Sequence, residues 1–445
     1  MLPTIHATAA DIRARRNTPV DVLERCLVRI SEYEKDVRAW VFVDEETARE
    51  DARRATDELR RGQDRGPLHG NPIGIKDIID VIDWPTACGS KRWEKSFAPQ
   101  DAPVVRRLRD AGAVIVGKTV TTQYASFDPP PTRNPWNHGC TPGGSSSGSA
   151  AAVACGMCLG ALGTQTGGSI TRPAAFCGVA GCKPSFGRVS TAGVLPLAQS
   201  MDHVGVLALC VRDLALMLDA ITGSDTADSA TPTLHLSEIG RSIESQVPPR
   251  FGRLRGLFDD LADPAMRAML DQCTQAFRER GAMVSEVALP DSFTDVLDRH
   301  RTVMAVEAAQ FHQARLRRHP DEYLPNIRTL IEEGIHTPAS AYMHCKEHQR
   351  QLTEDMRACF EGVDVLIAPA ARGPAPAADT TGDPAFNSPW SYTGLPTVNL
   401  PAGRDGGGLP LSIQLIGPRW EEASPLRAAA WCEQVLAYEP ILPPR

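Results

Sequence analysis

The spacing of apolar and polar positions divides the chain into helical and extended blocks. Residues 7–61 read as helical. Thr18-Pro19 opens a helix whose Val22, Leu23, Cys26, Leu27 and Ile30 recur at the spacing that buries one stripe. Within this block AWVFVD (39–44) predicts a short strand, and a charged helix follows from Glu45 to Arg61. GNPIGIKDIID (70–80) reads as turn, strand, turn, and DAPVVRRLRDAGAVIVGKT (101–119) as a helix followed by a buried strand. Residues 121–144 are mostly loop. An apolar helix is predicted over Ser149–Leu159, then a strand LGALGT, then the turn GGSIT. Composition shifts near Ser224: 225–250 is polar and rich in Pro and Ser, and 260–361 is largely helical. Apolar strand patterns return at VDVLIAPA (363–370) and twice more between 394 and 417. These blocks imply a single α/β domain over 1–445. Its core is discontinuous (about 62–224 and 362–435), with N-terminal helices at 7–61 and a helical insertion at about 225–361.

Composition narrows the partners. The chain has 445 residues, 42% of them hydrophobic, ample for a core. A net charge of −7 with no basic run excludes a general nucleic-acid binder. The most apolar window, Ala150 to Leu162, is shorter than the roughly 20 residues a membrane helix needs, so no membrane association is expected. The start MLPTIHATAADIRARR has no apolar secretory core, and the 12 cysteines read as reduced thiols of a cytoplasmic protein. Cys155 and Cys158 form a CxxC, but with no second pair at zinc spacing they read as structural thiols. No metal and no cofactor are expected, and homodimerisation is left open.

Two glycine pairs, GGSSSGSA (143–150) and GGSIT (167–171), flank the apolar helix. A phosphate-binding loop would place a lysine inside the first motif, and none is there. A flexible linker would not flank an apolar helix and then repeat the turn. A Ser-His-Asp arrangement stays formally open because there are eleven histidines. The remaining reading is a serine activated by another base, since serine is a weak nucleophile at its own pKa. Lys76 sits in the apolar PIGIKDII, where burial would disfavour its ammonium form. The alternative is an ordinary lysine at a strand end paired with Asp77 or Asp80. In TGGS, the successive backbone N–H groups of Thr166, Gly167, Gly168 and Ser169 suit a developing oxyanion, with glycine at 167 and 168 admitting a substrate carbonyl. The bland reading of the same glycines is a tight turn.

Six blocks carry a resemblance: GNPIGIKDIID, TRNPWN, TPGGSSSGSAAAVACG, GTQTGGSITRPAAFCGVAGCKPSFGRVS, SMDHVG and DPAFNSPWSYTGLPTVNLPAG. In this order they resemble the amidase signature family, in motif detail its malonamidase-like and general amidase branch, over about residues 10–435. The resemblance implies an α/β fold with a mixed central sheet and a Ser–cis-Ser–Lys triad. It places the nucleophile at Ser169, the cis-serine at Ser145 with Gly144 giving that bond room, and the base at Lys76. Ser146 is the residue expected to support the relay, while Ser147 and Ser149 read as turn and cap residues. The chain departs from the family in having Gln165 where Asp is frequent and Gln123 near where Glu is frequent. In the malonamidase-like branch an arginine at position 172 receives a substrate carboxylate; the competing reading is that Arg172 ties down the following loop. The segment 300–345, with His300, Phe311, His312, Tyr323 and Tyr342, is placed by the resemblance at the acyl or leaving-group pocket. Trp390 and Tyr392 read as core aromatics or pocket walls.

The implied activity is hydrolysis of the C–N bond of a small amide, a carbamate or an aryl amide through an acyl-enzyme. Two other readings remain. One is the glutaminase subunit of an amidotransferase, against which stands the lack of a long extension after LPPR. The other is a catalytically silent binding module, against which stand Lys76, Ser145 and Ser169.

Overall fold

Eleven strands of the described residues join one mixed sheet. The computed structural model describes residues 3–231, 239, 243 and 247–444. The strands are β1 (Trp40–Val43), β2 (Pro72–Lys76), β3 (Val114–Thr119), β4 (Gly160–Gln165), β5 (Ala180–Lys183), β6 (His203–Ala208), β7 (Arg250–Leu254), β8 (Met283–Val287), β9 (Val365–Pro369), β10 (Thr397–Arg404) and β11 (Pro410–Ile416). Their order across the sheet is β1-β3-β2-β4-β6-β5-β10-β11-β9-β7-β8. β2 runs parallel to both β3 and β4, whereas β4, β6, β5, β10, β11 and β9 pair antiparallel in succession. β2, β3 and β4 are buried along their whole length; each opens on apolar and glycine positions, as strands covered on both faces require, and ends in the polar residues Lys76, Lys118-Thr119 and Thr164-Gln165.

Helices cover the sheet as the amphipathic spacing predicts. Pro19–Val37 is held at its start by a capping box between Thr18 and Asp21, and it buries Val22, Leu23, Cys26, Leu27 and Ile30. Two expectations are corrected. The helix expected at Ser149–Leu159 spans Ser147–Ala154, because Gly156 turns left-handed (φ 69°) directly after the Cys155 cap. The stretch 225–361, expected to be helical, also supplies β7 and β8, which extend the sheet beyond β9. Edge strand β8 is largely exposed and β7 is only five residues long, so neither carries a strong apolar signature. Much of the polar stretch 225–250 lies outside the described residues. Cys155 and Cys158 are buried free thiols, and among the described residues no helix is long and apolar enough to cross a membrane.

The short helix Ser147–Ala154 sits directly on the backbone at the end of β3. The Gly148 amide donates to Val120 O at 3.0 Å, and a Cβ on Gly148 would lie 2.1 Å from Ala39 O and 2.4 Å from Val120 N. No rotamer relieves a clash with backbone. Gly148→Ala should therefore lower stability by about 1–3 kcal/mol, as overpacking does, read as a lower urea midpoint with an unchanged slope.

Candidate active site

Lys76 is the last residue of β2, and its side chain is fully buried. Its Nζ lies 2.7 Å from Ser145 Oγ and 2.7 Å from Thr164 Oγ1, with Thr164 O at 3.5 Å. Asp77 does not pair with it: that carboxylate faces Lys118 Nζ at 2.9 Å. The contacts of Lys76 are thus hydroxyls and a carbonyl rather than a carboxylate. Burial pushes its ammonium well below the ordinary lysine range, and the smaller pull of Asp202 acts the other way.

The Gly144–Ser145 peptide bond is cis, in line with the family resemblance. Glycine at 144 is fixed by its neighbours, since a Cβ there would come within 2.8 Å of Thr381 Cγ2. The Gly144 carbonyl accepts from Arg172 Nη2 at 2.8 Å. Arg172 is 1% exposed, and burial lowers its pKa to about 10. This contact favours the loop-tying reading of Arg172. Ser146 bonds both N and O of Thr164 at 3.2 Å, so it pins the strand that carries one of the Lys76 acceptors. Gly144 to Gly148 also spells GxSxG, the letters of a nucleophile elbow, but the central Ser146 hydroxyl is spent on the Thr164 backbone. Ser147 donates to Gly143 O and Ser149 to Leu162 O.

Ser169 is buried to within 7% exposure, and its hydroxyl makes no hydrogen bond among the described residues. The turn that carries it is fixed through its carbonyls. Thr166 O accepts from His300 Nε2 at 2.9 Å, Gly167 O from Ser391 Oγ at 2.9 Å, Gly168 O from the Arg172 amide at 2.9 Å, and Ser169 O from the Ser146 amide at 3.2 Å. Gln165 Oε1 accepts the amides of Ile170 and Thr171 at 2.9 and 3.0 Å, holding the start of the helix Thr171–Cys177. By contrast, the amides of Thr166, Gly167, Gly168 and Ser169 donate to no acceptor among the described residues. Buried amides are otherwise almost always paired, so these four are uncommitted donors beside the Ser169 hydroxyl. Glycine at 168 answers to Asn387, whose Oδ1 would lie 2.6 Å from an added Cβ; at 167 the nearest atom would be 3.4 Å away.

Several site residues escape a reading of the sequence. Thr164 is an ordinary strand threonine until β4 is laid beside β2. Asp202, within the SMDHVG block, accepts from Thr166 Oγ1 and from the amides of Leu197 and Ala198. Asn387 and Ser391 reach the turn from the far block DPAFNSPWSY. The insertion contributes as well. His300 meets the turn directly, and burial lowers its pKa to about 4, so it is neutral there. His312 and Tyr323 pack against Tyr124, with His312 and Tyr124 ring centroids 4.7 Å apart. Gln123 donates to Glu322 O and accepts from the Leu324 amide, both at 2.7 Å. That two-way clamp needs an amide, since an ionised glutamate has no proton to donate. Phe311 lines a 290 Å³ cavity with Cys88 and Trp93, whereas Tyr342 and Tyr392 line a separate 790 Å³ cavity behind Ser391. Trp390 is a core residue stacked on Phe258.

The fold is that of the amidase-signature enzymes. The sequence profile of the Amidase family matches residues 21–426, and the chain belongs to that family. It is 35% identical to the putative amidase AmiD of Mycobacterium tuberculosis over 97% of this chain and 94% of the relative. It is 37% identical to an amidase of Pseudomonas putida (98% and 95%). It is 33% identical to a glutamyl-tRNA(Gln) amidotransferase subunit of Geobacter metallireducens (98% and 97%). Among solved structures, the native peptide amidase from Stenotrophomonas maltophilia matches with a TM-score of 0.87 at 29% identity, over 99% of this chain and 98% of that one.

The Arg172–Gly144 contact makes a distinguishing forecast. Arg172→Met should cost about 1.5–3 kcal/mol of stability, the scale of a charged hydrogen bond, and should slow neutral and acidic amides in the same proportion. Steady-state kinetics on a matched pair of substrates checks this; a KM rise confined to the acidic amide would instead assign Arg172 to a substrate carboxylate.

Proposed function

We propose that this chain hydrolyses the C–N bond of a small carboxylic amide, carbamate or aryl amide through a serine acyl-enzyme, with Ser169 as nucleophile, Ser145 as proton bridge and Lys76 as base. The observation that carries this reading is a fully buried lysine bonded to a serine hydroxyl, with no carboxylate taking its charge. A neutral amine has two hydrogens and one lone pair. Directing the hydrogens at Thr164 Oγ1 and O leaves the lone pair for the Ser145 proton. Ser145 in turn takes the proton of Ser169 as its oxygen attacks the substrate carbonyl. The uncommitted amides of the 166–169 turn receive the oxyanion. The proton held by Lys76 returns through Ser145 to the departing nitrogen, and water then cleaves the acyl-serine ester by the same route.

A second reading, the ammonia-releasing component of an amidotransferase, is favoured by the similarity to the Geobacter metallireducens protein. Robust turnover of simple amides by the isolated chain selects the first reading; glutamine hydrolysis that depends on a partner selects the second.

Ser169→Ala should lose hydrolysis by at least about a thousandfold, on the scale of other serine nucleophiles, and no acyl adduct should appear by mass spectrometry. An active purified Ser169→Ala variant rejects the assignment. The pH dependence has a definite sign. Because the deprotonated amine is the working form, kcat/KM should fall as pH drops through the Lys76 pKa, and this limb should lie below the ordinary lysine value of about 10.4. Lys76→Ala should remove most of the rate and abolish the limb; a limb that persists in that variant belongs to another group.

A further inference from the structure

Away from the candidate active site, a second group of reactive side chains joins the N-terminal helix to the body of the protein. His6 lies in the first turn of the helix Ile5–Arg13, and Cys210 and Asp213 lie at the start of the helix Val211–Ile221. The Cys210 Sγ is 3.7 Å from His6 Nδ1, and that nitrogen is 2.9 Å from Asp213 Oδ1. The three candidate ligand atoms all lie within 4.8 Å of one another. The location is remote from Lys76. Along the β4–β6 pair, Gln165 faces His203 at the active-site end and Gly160 faces Ala208 at the other, and Cys210 follows Ala208.

We propose that His6, Cys210 and Asp213 form a binding site for a borderline-soft divalent cation of the zinc type, which would fasten the N-terminal helix to the helix Val211–Ile221. One imidazole nitrogen, one thiolate and one carboxylate oxygen are the donor set such an ion takes, with a fourth tetrahedral position left for water. A tetrahedral zinc sets its ligands roughly 3.3–3.8 Å apart, given bond lengths of about 2.0–2.3 Å. The Sγ–Nδ1 separation already has that value, and the Nδ1–Oδ1 pair must open by a few tenths of an ångström.

Asp213 is prepared for the role. The Ile5 amide bonds its Oδ2 at 2.7 Å and the His6 amide its Oδ1 at 2.9 Å, so the carboxylate is oriented by outer-shell donors before any ion arrives. Charge favours a cation too. Asp213 is fully buried, and its one ion pair among the described residues is with His6. The His6 side chain is 33% exposed, which gives an ion a way in. The thiol is also badly placed to act as a nucleophile with His6 as its base. The nitrogen nearest the sulfur is the one already engaged by Asp213, so no relay through two ring nitrogens exists.

The test uses the full chain, freed of metal with a chelator under reducing conditions and titrated with Co2+. The expected result is a thiolate-to-cobalt absorption band in the near ultraviolet that saturates at one equivalent and is displaced by Zn2+. Because the chain has 12 cysteines, the band must be tied to this site: it should be lost in Cys210→Ser and in His6→Gln. Zn2+ should raise the melting temperature of the wild type but of neither variant. Far-ultraviolet circular dichroism checks that each variant is folded, and His6→Gln, at a partly exposed position, keeps the test decisive if Cys210→Ser does not fold. Absence of the band in the wild type, or its full retention in a folded variant, overturns the proposal.

Discussion

Everything at the candidate site follows from burying the Lys76 amine without giving it an anion. An isolated ammonium in a low-dielectric interior is so unfavourable that the group sheds its proton instead. Among the described residues three lysines are fully buried, and comparing them shows what is special about this one. Lys118 is balanced by Asp77, so its charge is compensated where it sits. Lys183 is also pushed down, to about 7, but its partners are the carbonyls of Leu395 and Pro184, which accept a hydrogen bond and cannot pass a proton on. Lys76 alone of the three has a serine hydroxyl whose next neighbour in the chain is bonded to the backbone of a second serine.

The same requirement accounts for the neutrality of the surrounding groups. Gln165 performs a task a carboxylate could also perform, accepting the amides of Ile170 and Thr171. Its amide end also donates to Ser391, which in turn holds the Gly167 carbonyl. A glutamine completes that chain without a negative charge that would draw Lys76 back towards its ammonium form. Asp202 is the acid whose field Lys76 does feel, and it is kept occupied by Thr166 and two backbone amides. The departures from the family pattern at 165 and 123 are therefore coherent: each glutamine donates and accepts at once.

The parts legible in the sequence are those whose cause is local. β2, β3 and β4 announce themselves by the apolar stretches with which they open, and the helix at 19–37 by its cap and its stripe. The glycine–serine turns are recognisable because few other chemistries use them. What is not legible depends on distant contacts. Thr164 matters only because β4 lies beside β2, and glycine at 168 only because Asn387, more than two hundred residues later, packs against it. β7 and β8 are short, and β8 is exposed, so their pattern blends into the helices around them. Purpose is harder to read than position. Glycine at 167 and 168 reads as room for substrate, but at 168 it is first of all room for Asn387.

The insertion is tied to the chemistry more closely than a cap over a pocket would be. The helix Val296–Arg318 sends His300 to the Thr166 carbonyl, while the Gln123 clamp holds residues 322–324 against the core. Since the acceptor is a carbonyl, Nε2 must carry the ring proton, and a pKa near 4 keeps the imidazole neutral at physiological pH. The hydrogen bond therefore polarises the Thr166–Gly167 peptide, whose N–H is one of the uncommitted donors, without adding a full charge near Lys76. A substitution that shifts this helix would therefore also move the donor that orients the 166–169 turn, the turn proposed to receive the oxyanion.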